Sequence, residues 1–384
     1  MNRLAVSQTT VSRHLTQLAQ HIGPRPTGSP GNQQAGEYIR DQFTRLGWHV
    51  ETQPFECLTW DNNGATLTQN GQYLPAQPNP YSLPFVGSFP FVVCGQVSDL
   101  ESHTDLRGHI LVLSGELAAE PYMPRNFPFF AIEEQLHVLR CLDDAQPDAI
   151  IAIHDKPLFC DADFHMPSVT ITPETARTLL ANPHTPVDLE IRSATIPSTG
   201  FNVIARSDSQ SAPSVVICAH YDTWFDTPGA MDNATGVTAL LGLAEDLDRS
   251  LPVEIVAFNG EDHYASPGQV AYLEQSSTNP DYVINIDGIG VAGRQNSVSF
   301  WGEDTALFAT ARTARSHFPN LVEVQPWPQG DHMIFVQRGV PAIALSSVFD
   351  DWLAKTHTPA DTLDQVDPDQ VIEVIAFVEH VLGR

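Results

Sequence analysis

The apolar positions of the first fifty residues change period twice. From Thr9 to Ile22, Val11, Leu15, Leu18 and Ile22 recur at helical spacing and fall on one face. The segment Gly23-Pro24-Arg25-Pro26-Thr27-Gly28-Ser29-Pro30-Gly31 then reads as a turn-rich loop. Helical spacing returns from Asn32 to Leu46, with Ala35, Ile39, Phe43 and Leu46 inward, and Gly47 ends it. Trp48 to Phe55 alternates as a strand does.

From Phe201 onward apolar strands alternate with amphipathic helices. The strands are predicted at Phe201–Arg206, Ser214–Ala219, Val253–Asn259, Asp281–Asp287, Ser297–Trp301 and Ala342–Ser346. The helices are predicted at Asn233–Leu247, Ala265–Gln275, Glu303–His317 and Pro368–Leu382. Such alternation predicts an α/β fold, three layers αβα around a mostly parallel central sheet. Between Cys57 and Thr199 the character differs. Short β-like pieces and prolines dominate, His109–Ser114 and Asp148–His154 read as buried strands, and Pro167–Thr172 leads into a short helix at Pro173–Leu180. The expected organisation is therefore a discontinuous main domain, 1–56 with 200–384, carrying a smaller β-rich insertion at 57–199.

At 42% hydrophobic content, 384 residues hold enough apolar material for a sizeable core. The net charge of −27 repels phosphate, which argues against nucleic acid and against an anionic membrane surface. It reads either as a solvated surface or as a field that draws cations. The five cysteines contain no Cys-x-x-Cys pair and read as reduced thiols. No apolar run is long enough to span a membrane, and Met1–Gln8 lacks the apolar core of a signal peptide. The expected setting is the cytoplasm, although a trimmed chain would read the same way.

Five short segments carry the candidate chemistry. They are Ala219-His220-Tyr221-Asp222-Thr223, Ala230-Met231-Asp232-Asn233-Ala234-Thr235-Gly236, Asn259-Gly260-Glu261-Asp262, Asn285-Ile286-Asp287 and Thr356-His357-Thr358-Pro359-Ala360-Asp361-Thr362. Several anions brought together need a counter-charge, and two close divalent cations need several anionic ligands. His220 and Asp222 are two apart at a strand end and point to one side, so Asp222 can support a ligating His220 or simply cap the strand. Asp232 opens a predicted helix, where a carboxylate either caps or, through its two oxygens, bridges two cations. Asp287 ends an apolar run, where an acid is costly to desolvate without a partner. Cys218 lies on the apolar side and reads as core, and His263 should point away from its two acidic neighbours.

The order and wording of these segments, with the Gly-Pro-Arg-x-Thr-Gly-Ser loop near the start, resemble the MH-clan zinc aminopeptidases. That family includes bacterial leucyl aminopeptidases and, more distantly, glutamate carboxypeptidase II and the glutaminyl cyclases. The resemblance implies two divalent cations, zinc by preference, with His220 and Asp287 on one, His357 and Asp262 on the other, and Asp232 shared. It makes Glu261 the general base and Asp222 the residue that orients His220. It implies peptide substrates with a free N-terminus, and the insertion resembles the protease-associated domain of some members. Many relatives have Glu where this chain has Asp262. The family's oxyanion-stabilising Tyr falls near Trp327, which either donates through its indole nitrogen or walls an apolar pocket. His332 reads as a pocket residue or a structural histidine, and Asp361 as a turn cap or a support for His357.

The rivals are glutaminyl cyclisation, carboxypeptidase or deacylase chemistry on the same scaffold, and a receptor-like binding protein that keeps its metals. No Gly-x-Ser-x-Gly elbow supports a serine nucleophile.

Overall fold

The computed structural model describes residues 6–209, 211–303 and 305–383. Met1–Ala5, which entered the signal-peptide reading, and Asp304, inside a predicted helix, lie outside the described residues. The chain divides into two compact units, Met1–Cys57 with Ser198–Arg384, and Leu58–Pro197. The crossings between them fall within two long strands, His49–Gln69 and Val187–Arg206.

The first unit is built on a mixed, mostly parallel sheet. Its order is Leu321–Glu323, Asn296–Trp301, Ala342–Ser347, Tyr282–Ile286, Val215–His220, Val253–Phe258, then the parts of Val187–Arg206 and His49–Gln69 that belong to this unit. Val215–His220 runs parallel to both of its neighbours. On one face, Val215, Ile217, Ala219, Ile255, Ala257, Ile284 and Ile286 pack with helices Gln8–Leu15, Thr235–Asp246 and Pro368–Val381. On the other, Phe258 meets Tyr272 of helix Pro267–Gln275 edge-on, and Phe335 of the short helix Met333–Val336 lies beside both. Helices on both faces explain why these strands are mostly apolar, with Glu254 and Asn285 as buried exceptions. Burying such side chains stabilises by about 1.5–3 kcal/mol each, which offsets the cost of polar groups at the strand ends.

Local boundaries differ from expectation in several places, most of all in the two long strands, expected only at Trp48–Phe55 and Phe201–Arg206. The first helix is α-helical only over Gln8–Leu15 and widens into a π-helical turn at Thr16–Ile22. The helix expected from Asn233 begins at Thr235, after an irregular turn at Ala230–Ala234. The helix expected at Glu303–His317 spans Ala306–Arg315, capped by the Thr305 side chain.

The second unit holds a smaller five-stranded sheet, ordered Gln77–Pro78, Ser168–Ile171, Ala149–Ile153, Ile110–Leu113, Phe91–Cys94. All its pairings are parallel except the edge one, Gln77–Pro78 with Ser168–Ile171. A helix that the sequence reading did not anticipate, Glu133–Ala145, covers one face through Val138, Leu139 and Leu142. Helix Pro173–Leu180 covers the other. Among the described residues, no helix is long and apolar enough to cross a membrane.

Candidate metal centre

Three adjacent parallel strands deliver most of the site from their carboxyl ends, where open α/β sheets form their crevices. His220 is the last residue of the central strand. Glu261 and Asp262 follow the neighbouring strand after Gly260, whose φ of 102° turns the chain. Asp287 follows the strand on the other side. Strand alternation places Cys218 and His220, and likewise Asn285 and Asp287, on the face opposite the large core. The two remaining candidates come from outside these strands. Asp232 sits in the turn Ala230–Ala234, and His357 lies in a loop with φ of 60°, a region few non-glycine residues occupy. Asp232 has φ −122° and ψ 90° and does not cap the following helix, so the capping alternative is set aside.

The two oxygens of Asp232 face different partners. Oδ1 lies 3.1 Å from His220 Nε2, which is 3.5 Å from Asp287 Oδ1. Oδ2 lies 3.2 Å from His357 Nε2, which is 2.9 Å from Asp262 Oδ1. Ligand atoms around a tetrahedral zinc, at bonds of about 2.0–2.1 Å, stand about 3.3 Å apart. His220, Asp232 and Asp262 present ligand atoms within 4.8 Å of one another. Both imidazole nitrogens of His220 and Oδ2 of Asp262 are buried without a hydrogen-bond partner. Each such atom costs about 1–3 kcal/mol if nothing meets it. Crowded carboxylates, unpartnered buried nitrogen and oxygen, and spacing near a tetrahedral edge all fit divalent cations held by mixed imidazole and carboxylate ligands.

Asp222 is completely buried and joins three parts of the site. It accepts from the backbone N–H of Glu261 (3.2 Å) and of Asp262 (3.1 Å), and from the Thr27 hydroxyl (3.0 Å). His220 Nδ1 is 3.6 Å from Asp222 Oδ1, a close ion-pair approach too long for the hydrogen bond expected from the sequence. Arg25 is also fully buried, and its guanidinium meets no carboxylate. It donates to the carbonyls of Tyr221 (2.7 Å), Pro228 (2.6 Å), Gly229 (2.8 Å), Gly23 (3.2 Å) and Leu18 (3.4 Å). It thereby ties the residue after His220 to the turn that presents Asp232. Burial pushes its pKa down to about 10, against the pull of Asp361, Asp222, Asp232 and Asp262. Asp361 supports the shared ligand rather than His357: its carboxylate accepts from the N–H groups of Met231 (2.6 Å) and Asp232 (3.1 Å).

Electrostatics separates the acids. Burial pushes Glu261 well above the usual carboxylate range, opposed by His220 and reinforced by Asp262, Asp287 and Asp331. Burial would raise Asp232 too, but contact with His220 and His357 brings it below that range. Asp331, to which the sequence reading gave no role, is buried with one free oxygen and sits at about 7, mainly from desolvation. Its other oxygen accepts from Gln269 at 2.7 Å. Its only sequence cue was its place in Gly330-Asp331-His332.

Trp327 and His332 form one wall with each other. The indole stands edge-on to the imidazole, centroids 5.1 Å apart, and to Phe349 at 5.3 Å. The indole nitrogen of Trp327 is buried without a partner. His332 is completely buried, lies 3.3 Å from both the Asn285 amide and the Trp327 carbonyl, and is held by burial at about 4, hence neutral. His263 hydrogen-bonds the Ala265 N–H through its own ring and is absent from the ligand set. Cys218 is fully buried but shares the face of His220 rather than lying on the apolar side expected for it, and its thiol is 3.4 Å from Asn285 Oδ1. Trp224 escaped the sequence reading: it stacks on His357, centroids 5.1 Å apart and planes 8° from parallel.

Residues 202–382 match the sequence profile of peptidase family M28. This stretch belongs to that family. The probable lipoprotein aminopeptidase LpqL of Mycobacterium tuberculosis is 25% identical over 288 residues, 71% of this chain and 56% of that protein. The chain thus spans little more than half the length of that relative. BSAP, a zinc aminopeptidase from Bacillus subtilis, has the same fold, with a TM-score of 0.76 at 19% identity over 99% of this chain and 95% of that one. Porphyromonas gingivalis glutaminyl cyclase shares it more loosely, with a TM-score of 0.52 at 14% identity over 98% and 97% of the two chains. The M28 segment contains every candidate ligand and Glu261, whereas Arg25 and Thr27 lie before it.

Proposed function

We propose that this chain is a two-metal aminopeptidase that removes residues from the free N-terminus of peptides. The observation that carries the reading is Asp232, whose oxygens turn separately to a His220–Asp287 pair and a His357–Asp262 pair. His220 and Asp287 would hold one cation and His357 and Asp262 the other, with Asp232 common to both. Divalent ions bound there supply Lewis-acid polarisation of a carbonyl and make water acidic near neutral pH. Glu261 takes a proton from the attacking water and returns it to the leaving amine, a role suited by its raised pKa. Asp222 holds His220 in place and anchors the backbone of Glu261 and Asp262. Asp262 and Asp287 draw the cationic α-amine of the substrate. Trp327 and His332 wall an apolar pocket, and a neutral His332 suits that task. The unit Leu58–Pro197 is read as a protease-associated type of insertion.

The test is metal analysis combined with turnover of a leucyl anilide. Two equivalents of metal at this centre and release of leucine are expected. Glu261→Gln should keep both metals and lower kcat by about 10²–10⁴-fold; unchanged kcat refutes the role. Cyclisation of N-terminal glutaminyl peptides without release of leucine would move the protein to cyclase chemistry instead.

A further inference from the structure

The second unit carries a cluster of metal-ligating side chains that the proposed peptidase chemistry does not use. His137 and Cys141 are four apart on helix Glu133–Ala145 and therefore share a face. Glu101 is the last residue of helix Val97–Glu101. His137 Nε2 lies 2.8 Å from Glu101 Oε1 and 3.8 Å from Cys141 Sγ, and the three ligand atoms fall within 4.8 Å of one another.

We propose that Glu101, His137 and Cys141 form a second, independent site for a zinc-like divalent cation. Around such an ion, with bonds of about 2.0–2.3 Å, ligand atoms stand about 3.3–3.7 Å apart, so small side-chain rotations suffice. A thiolate, an imidazole and one carboxylate select zinc, cobalt or cadmium over calcium or magnesium. The scaffold is fixed before the ion arrives. Each ligand adjoins a buried residue of the same apolar cluster: Leu100 beside Glu101, Val138 beside His137 and Leu142 beside Cys141. Ligands on packed helices hold their geometry better than ligands on loops. Half-exposed side chains at Glu101 and His137 leave a route for the ion and room for water as a further ligand. On binding, the Cys141 S–H bond breaks, its electron pair forms the sulfur–metal bond, and the proton goes to solvent. The bound ion would clip helix Val97–Glu101 to helix Glu133–Ala145.

Cobalt(II) titration of the full chain tests this, because cobalt bonded to thiolate has an intense near-ultraviolet charge-transfer band. The candidate ligands of the M28 segment offer only nitrogen and oxygen, so the band reports the second site whether or not that segment hydrolyses peptides. The expected result is a band whose final intensity corresponds to one thiolate-bound cobalt per chain, which disappears when zinc is added and is lost in Cys141→Ser. His137→Gln, which leaves the cysteine in place, should also lose it. Absence of the band at saturating cobalt would show only an exposed His137–Glu101 ion pair beside a thiol, and would overturn the proposal. A band undiminished in Cys141→Ser would trace it to another cysteine and overturn it equally.

Discussion

The two halves of the candidate centre are made differently. His220 ends the central strand of the sheet and its side chain is 1% exposed, whereas the His357 side chain is 40% exposed on a loop. The first half is fixed by backbone pairing on both sides and by Asp222, Thr27 and Arg25 beneath it. The second relies on a left-handed backbone at His357 and on the flat stack with Trp224. A buried strand end holds its side chain at almost no further entropic cost, while a loop must order itself each time. The His220 half is therefore expected to bind the tighter cation, and the His357 half to exchange first.

Asp232→Ala removes the one ligand common to both halves, so it should reduce metal bound at this centre, read in a Cys141→Ser background, below one equivalent and turnover to the background rate. Retention of a full equivalent on one side would break the idea that the halves depend on each other. Arg25→Met comes next. It removes a donor from five carbonyls, of which Leu18 and Gly229 keep a backbone N–H and those of Tyr221, Pro228 and Gly23 lose theirs at about 1–3 kcal/mol each, so urea unfolding should show at least about 3 kcal/mol of lost stability. Those carbonyls adjoin His220 and Asp232, so the tighter equivalent of metal should weaken as well. Chelator challenge of the wild type should remove metal in two phases. His357→Ala should abolish the fast phase and His220→Ala the slow one; a single phase in the wild type would make the two halves equal. The mildest change is Trp224→Ala, which touches a ligand and not the metal. It should accelerate the fast phase by about tenfold, the low end for losing an orienting neighbour, and leave the slow phase alone.

The M28 segment was legible in sequence because strands buried on both faces are mostly apolar and the acids that follow their ends interrupt that pattern. Val215–His220, Val253–Phe258 and Tyr282–Ile286 could each be found, and with them His220, Glu261, Asp262 and Asp287. The insertion was harder. Helix Glu133–Ala145 went unread because it sits in a stretch whose prolines and short apolar pieces look β-like, although Val138, Leu139 and Leu142 share one face. Arg25 looked like a loop residue. Nothing local tells that a guanidinium between two prolines reaches carbonyls about two hundred positions away. For Asp361 the sequence left a turn cap and a support for His357 both open, because the contact that decides between them, with the Met231–Asp232 backbone, spans 130 residues.

The sequence by itself determined which side chains were available for metal chemistry, since apolar runs ending in His, Asp or Glu are costly unless those ends meet a partner. It also determined the alternation that makes the layered sheet. Only the tertiary structure decided that Asp232 turns one oxygen to each histidine, that Trp224 lies flat on His357, and that Arg25 binds backbone instead of acid. Those are contacts between segments far apart in the chain, and their distances follow from how the sheet and its loops pack rather than from any local spacing.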